Sequence, residues 1–185
     1  MKGLVLYKGK YGATRDYAGF IGEALKWPVY TPEQLLTPTL AAADVLVIGS
    51  SVYEGRLLLH GWLKKHAEQL KNKKVFLFIV CATPADKKNV LEQIANNNIP
   101  AALREHIVVH FLRGRVVIKD LNWLDKLMLK FAAKSTKDPD EKQRMLYGFD
   151  AVNRENAVPL INALKALQTD TPGLVADEIA DLGIS

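Results

Sequence analysis

Between Tyr7 and Ala13 the chain reads Lys8-Gly9-Lys10-Tyr11-Gly12, and Thr14 follows. Two glycines let a short backbone stretch curl and turn its N–H groups inward. Thr14 adds a hydroxyl, and a helix starting beside it adds the partial positive charge of its N-terminus. Lys8 and Lys10 bring full charges. The combination suits a phosphate. Its spacing matches neither Gly-x-Gly-x-x-Gly nor Gly-x-x-x-x-Gly-Lys-Ser/Thr, so a tight turn without a ligand is the alternative reading.

A second group of candidates, Ser50-Ser51-Val52-Tyr53, follows the strongest strand signal in the chain. The two hydroxyls can bond a polar ligand or cap a following helix, and Tyr53 offers a flat apolar face. A third group, Cys81-Ala82-Thr83-Pro84, closes another apolar run. Cys81 has no basic neighbour in sequence and reads as a small buried hydrophobe rather than a redox thiol. The four histidines (His60, His66, His106 and His110) lack the spacing of metal ligands. No side chain stands out as an essential acid or base.

Three groups can form one site only if regular elements bring them together. Lys2 to Tyr7 is a short apolar run without alternation, as in a strand covered on both faces. Ala13 to Trp27 has helical spacing at Tyr17, Ala18, Phe20, Ile21, Ala24 and Leu25. Trp27 to Tyr30 reads as a second strand, Asp44 to Gly49 as a third, Lys74 to Cys81 as a fourth and Ile107 to Leu112 as a fifth. Ser50 to Gly55 reads as a turn. Leu57 to Leu70 and Asp86 to Asn96 read as helices, with Thr83-Pro84 as a helix-start signal. Strands alternating with helices predict an α/β fold: a three-layer, doubly wound, five-stranded parallel sheet whose ligands bind at the carboxyl ends of its strands. Lys119 to Ser135 has an apolar stripe through Leu121, Leu124, Leu127, Met128 and Phe131, with Lys126, Lys130 and Lys134 opposite. It is expected to dock by that stripe, although a basic amphipathic helix can also lie on an anionic membrane. Ser135 to Gln143 reads as an exposed loop and Asn153 to Leu167 as a last helix. The expected organisation is one domain over 1–167, with an extra helical segment at about 114–150 and a tail over 168–185.

Bulk properties narrow the class. The 185 residues are 49% hydrophobic and 24% charged, which fits a soluble globular chain of one domain. The lone cysteine fits a reducing cytoplasm. The formal charge of +5 is spread along the chain. No basic tract is interleaved with aromatics, so a nucleic-acid partner is not expected.

In their order, the three loops resemble those of flavodoxins. Tyr7-Lys8-Gly9-Lys10-Tyr11-Gly12-Ala13-Thr14 is similar to the phosphate loop, with Gly9, Lys10 and Tyr11 where hydroxyls are usual. Gly49-Ser50-Ser51-Val52-Tyr53-Glu54-Gly55 is similar to the loop flanking the flavin ring, and Cys81-Ala82-Thr83-Pro84 to the ring-covering loop. The resemblance covers about residues 1 to 167. It implies a flavodoxin-like fold and FMN held by Lys8, Gly9, Lys10, Tyr11, Gly12, Ala13, Thr14, Ser50, Ser51, Val52, Tyr53, Ala82 and Thr83.

Asn122-Trp123-Leu124-Asp125-Lys126-Leu127-Met128, following Arg113-Gly114-Arg115, resembles a segment of the flavodoxin-type menaquinone-dependent protoporphyrinogen dehydrogenases, and Trp62-Leu63-Lys64-Lys65-His66 agrees with them. That resemblance implies an FMN oxidoreductase passing electrons to a quinone, with Arg113, Arg115 and Lys119 as charge partners for propionates and a cytoplasmic location peripheral to the inner membrane. A flavodoxin-type electron carrier with a redox partner protein, or a flavin-free binding module, are the competing readings. The positive charge counts against a plain carrier, since such carriers are usually acidic.

Overall fold

The computed structural model describes residues 1–169. Along the chain lie β1 (Gly3–Lys8), α1 (Ala13–Leu25), β2 (Val29–Tyr30), α2 (Thr37–Ala42), β3 (Val45–Tyr53), β4 (Arg56–Leu57), α3 (His60–Lys65), α4 (Ala67–Leu70), β5 (Lys74–Cys81) and α5 (Lys88–Asn98). The order continues with β6 (Ile107–Arg113), β7 (Arg115–Val116), α6 (Trp123–Ser135), α7 (Pro139–Tyr147), β8 (Phe149–Asp150) and α8 (Val158–Thr169).

The main sheet has the order β2-β1-β3-β5-β6, and all five strands are parallel. Alternate residues of each strand feed opposite cores. Leu4, Leu6, Leu46, Ile48, Leu77 and Ile79 pack with Leu40, Leu59, Leu63 and Leu103 on one face. Val5, Val47, Phe76, Phe78 and Val80 pack with Tyr17, Ile21, Leu160 and Leu164 of α1 and α8 on the other. Burial on both sides explains why these strands read as unbroken apolar runs. The predicted doubly wound α/β sheet is what the chain forms.

The Tyr17 hydroxyl fastens the last elements to this body. It donates to the Arg113 carbonyl at 2.8 Å and accepts from Asn156 Nδ2 at 2.9 Å. Because the strand order reverses around β1 and β3, a crevice opens at their carboxyl ends, the place where such sheets bind ligands.

Several expectations are corrected. Ser50 to Tyr53 continue β3 rather than forming a turn. They lead into an antiparallel hairpin in which Val52 pairs Leu57 and Tyr53 pairs Arg56. Glu54 and Gly55, at φ 50° and 74°, make the tight reversal that twisted hairpins favour. The single helix expected over Leu57 to Leu70 is two, broken at His66. The helix after Thr83-Pro84 begins only at Lys88. Ser135 to Gln143 is not a loop: α7 covers most of it, with Asp138 capping its N-terminus and Pro139 in its first turn. Of the apolar stripe, Leu121 is buried, but the part on α6 does not dock. Leu124, Leu127, Met128 and Phe131 are exposed, and the buried residues of that helix are Asp125 and Ala133. Residues 170–185, most of the expected tail, lie outside the described residues.

Candidate functional site

The end of β1, the loop to α1 and the first turn of that helix form one wall of the crevice. Gly12 is the N-cap of α1 at φ 86°, a left-handed conformation that glycine adopts without cost, and no side chain caps this helix. The first-turn N–H groups, which have no partners within a helix, are therefore left facing the loop. Gly9 lies so close to Thr14 that a Cβ there would come within 2.6 Å of Thr14 Oγ1. Thr14 is 1% exposed, and its hydroxyl has no hydrogen-bond partner. The Ser51 hydroxyl, from β3, is likewise buried and unpartnered. Two orphaned hydroxyls beside an uncapped helix start make a site that can hold an anion and its polar chain.

The cavity here has a volume of about 250 Å³. Lys10, Tyr11, Ala13 and Thr14 line it from the first loop, Ser51, Val52 and Tyr53 from β3, and Cys81 and Ala82 from the end of β5. The structure thus brings together most of the residues singled out in the sequence. Others stand apart. Lys8 pairs with Glu33 at 3.0 Å on the surface. The Ser50 hydroxyl accepts from Leu59 N–H at 3.1 Å, which fixes the chain after the hairpin. Thr83 lines a neighbouring cavity with Lys87 and Arg144. Arg115 does line the cavity but is engaged by Asp16 at 2.6 Å and Asp150 at 3.4 Å, whereas Arg113 lies over the Phe149 ring at 5.6 Å.

The roof of the cavity comes from Leu121, Met128, Leu129 and, above all, Asp125 of α6. The Asp125 carboxylate accepts from Lys10 Nζ at 2.8 Å and from Tyr53 OH at 2.6 Å. It accepts from Tyr11 OH through its Oδ2 as well. The Lys10 ammonium sits 3.6 Å from the centroid of the Tyr53 ring, a cation–π contact. Burial pushes the Asp125 carboxyl upward, but hydrogen bonds from Lys10, Tyr11 and Tyr53 overcome it and hold its pKa below the ordinary value. Burial likewise opposes charge on Lys10, and its hydrogen bonds with Asp125 and the two tyrosines win, leaving its pKa raised. Burial pushes the Cys81 thiol up, so the thiolate is disfavoured beside the cavity.

Because the Asp125 pKa is depressed by folding, the contact's contribution is complete above about 3.9, the usual aspartate value, and fades as the pH falls through the lower folded value. A carboxyl-carbon NMR titration of Asp125 is expected to give a midpoint below ~3.9; a midpoint at or above that value contradicts the network.

Asp125 was not singled out from the sequence. Placed in the first turn of a helix capped by Asn122, it is fully explained there by the helix dipole. Only its burial with three donors, visible in the fold, betrays a further role. Among the described residues no group of His, Cys, Asp and Glu is arranged to hold a metal ion.

A five-stranded doubly wound parallel sheet with a crevice at its switch point places the chain among the flavodoxin-like α/β domains. The chain matches the Flavodoxin domain family over residues 4–143 and belongs to it. Similar solved structures include an archaeal flavodoxin (14% identity over 89% of this chain and 99% of that one, TM-score 0.42). A WrbA-like flavodoxin from Agrobacterium tumefaciens has 15% identity over 89% and 98%, with a TM-score of 0.42. Flavodoxin 2 from Bacillus cereus has 14% identity over 89% and 99%, with a TM-score of 0.40. Comparison with curated protein sequences finds no match.

Proposed function

We propose that the chain is an FMN-binding redox protein of flavodoxin type, and that it acts as an oxidoreductase delivering electrons to a quinone. The observation that carries the cofactor reading is the pair of buried, unpartnered hydroxyls, Thr14 Oγ1 and Ser51 Oγ, beside the uncapped start of α1. A buried hydroxyl without a partner costs about 1–3 kcal/mol, so it is retained where a ligand satisfies it. The residues fit the group. Gly9 to Thr14 would hold the phosphate, with Lys10 as its counter-charge; Ser51 would bond the polar chain, and Val52, Tyr53 and Ala82 would flank the ring. FMN would supply one- and two-electron chemistry. The protein's part is to bind and orient it and to exclude water.

Purified protein titrated with FMN is expected to take up one equivalent, with quenched flavin fluorescence. Colourless protein unchanged at millimolar FMN would leave the flavin-free binding module as the reading. The dehydrogenase reading rests on the Asn122 to Met128 motif, and oxidation of protoporphyrinogen with a quinone acceptor tests it. Failure there with FMN bound favours an electron carrier that serves a partner protein.

Peripheral membrane contact is part of this proposal. No helix among the described residues is long and apolar enough to cross a membrane. The exposed Trp123, Leu124, Leu127, Met128 and Phe131 nevertheless share α6 with Lys126, Lys130 and Lys134, a composition suited to an anionic surface. Absence of co-sedimentation with anionic vesicles removes that part.

A further inference from the structure

We infer that Asp125 latches α6 over the cofactor cup, and that FMN binding, which needs both the charge of Lys10 and the face of Tyr53, releases the latch. This rests on the cofactor reading above and adds a moving part to it.

Lys10 and Tyr11 come from the first loop and Tyr53 from the end of β3. Both are walls of the candidate flavin site, and all three side chains donate to the one carboxylate. That carboxylate belongs to a helix otherwise weakly held. The remaining buried residue of α6 is Ala133; Leu129 is half-buried over the cavity, Trp123, Leu124, Leu127, Met128 and Phe131 are exposed, and the helix packs mainly against α7. The hairpin of α6 and α7 joins the body through a short turn over Ile118–Asp120 and the two-residue ribbon of β7 and β8. Asp125, with three donors, is therefore its polar tether to the cup, beside the apolar contact of Leu129.

In the closed arrangement Lys10 covers the Tyr53 ring, and the cavity, at about 250 Å³, is below the roughly 300–1,000 Å³ of small-molecule sites. A flavin ring stacked on Tyr53 must displace the ammonium from that face. A phosphate in the cup competes with Asp125 for the same cation. Once Lys10 turns to the phosphate, the carboxylate is left facing a dianion without its counter-charge, and repulsion moves α6 outward. A helix of 13 residues detached from its body is marginal in water, so release is visible as faster amide exchange.

Hydrogen exchange over residues 123–135, with and without FMN, tests this in the full chain and in Asp125→Asn. In the unaltered protein FMN is expected to raise exchange there about tenfold. Asp125→Asn is expected to show the raised exchange without FMN and to bind FMN about tenfold more tightly, because no latch has to break. Should that variant fold poorly, Tyr11→Phe, which removes one donor and no charge, is expected to show a smaller shift in the same direction. FMN binding to both proteins with α6 unmoved or more protected overturns the latch alone. No FMN binding to either protein overturns the cofactor reading, and the latch with it.

Discussion

Gly12→Val is expected to weaken FMN binding at least ~100-fold while leaving the sheet folded, which corresponds to ~2.8 kcal/mol. Space is not the reason. A Cβ at Gly12 would meet nothing nearer than the Arg15 guanidinium at 3.8 Å. The reason is the backbone: Gly12 sits at φ 86°, where an L residue pays about 1–2 kcal/mol and a β-branched one more. Valine relieves that strain by rotating the loop, and the N–H groups at the start of α1 then turn away from the cup. Hydrogen bonds to a charged group are worth about 1.5–3 kcal/mol each, so losing one or two accounts for the effect. Gly12→Asn is the control, because asparagine tolerates the left-handed region; its affinity is expected to stay within about tenfold. Fluorescence titration with FMN, with far-UV circular dichroism to confirm folding, separates the two variants. Equal affinity in all three proteins would falsify the phosphate cup.

The architecture was legible because burial writes itself into strands. Leu4 to Leu6, Val45 to Ile48 and Val75 to Val80 are apolar without alternation since helices cover both faces. Their alternation with helices then leaves few topologies open. What escaped was decided by pairing and capping rather than by hydrophobicity. Ser50 and Ser51 look like turn residues, yet the ladder of β3 runs through them beside Ile79 and Val80. His66 has helical spacing with Leu59, Trp62 and Leu63, but its Nδ1 lies 2.9 Å from the Trp62 carbonyl and its ring stacks on the Trp62 ring, where the helix breaks. Asp138-Pro139 did carry a readable helix-start signal, hidden inside a polar stretch.

For the site, the loops of β1, β3 and β5 were visible and their closure was not. A one-dimensional pattern assigns the apolar stripe of α6 to the core, as in most surface helices. Here the helix meets the site through one hydrogen-bonded carboxylate, and Leu124, Leu127, Met128 and Phe131 of the stripe are exposed. Contacts between Asp125 and residues more than 70 positions earlier leave no periodic trace. The same contact decides how Lys10 is read. From sequence it is a free cation beside a phosphate loop; in the fold it is already committed to an internal anion.

Gly49→Val is expected to destabilise the protein by about 3 kcal/mol, and so to lower its Tm by about 6–12 °C. Gly49 lies at the middle of the sheet, paired with Tyr7 on one side and Phe78 on the other. Valine usually favours a strand, by at most about 1 kcal/mol over the whole scale. Packing outweighs that gain. A Cβ at Gly49 would come within 2.0 Å of Phe78 Cζ and 2.5–2.6 Å of both Cε atoms. Phe78 is fully buried among Val5, Val47 and the residues of α1 and α8, so its ring has no empty side to swing toward. Relief must come from α1 or from β5 itself. If the overlap is the cause, shortening the ring should restore stability: Gly49→Val with Phe78→Leu is expected to be at least ~1 kcal/mol more stable than the sum of the two single changes predicts. Urea denaturation of the four proteins measures that coupling. Strict additivity would place the cost of valine elsewhere in the sheet.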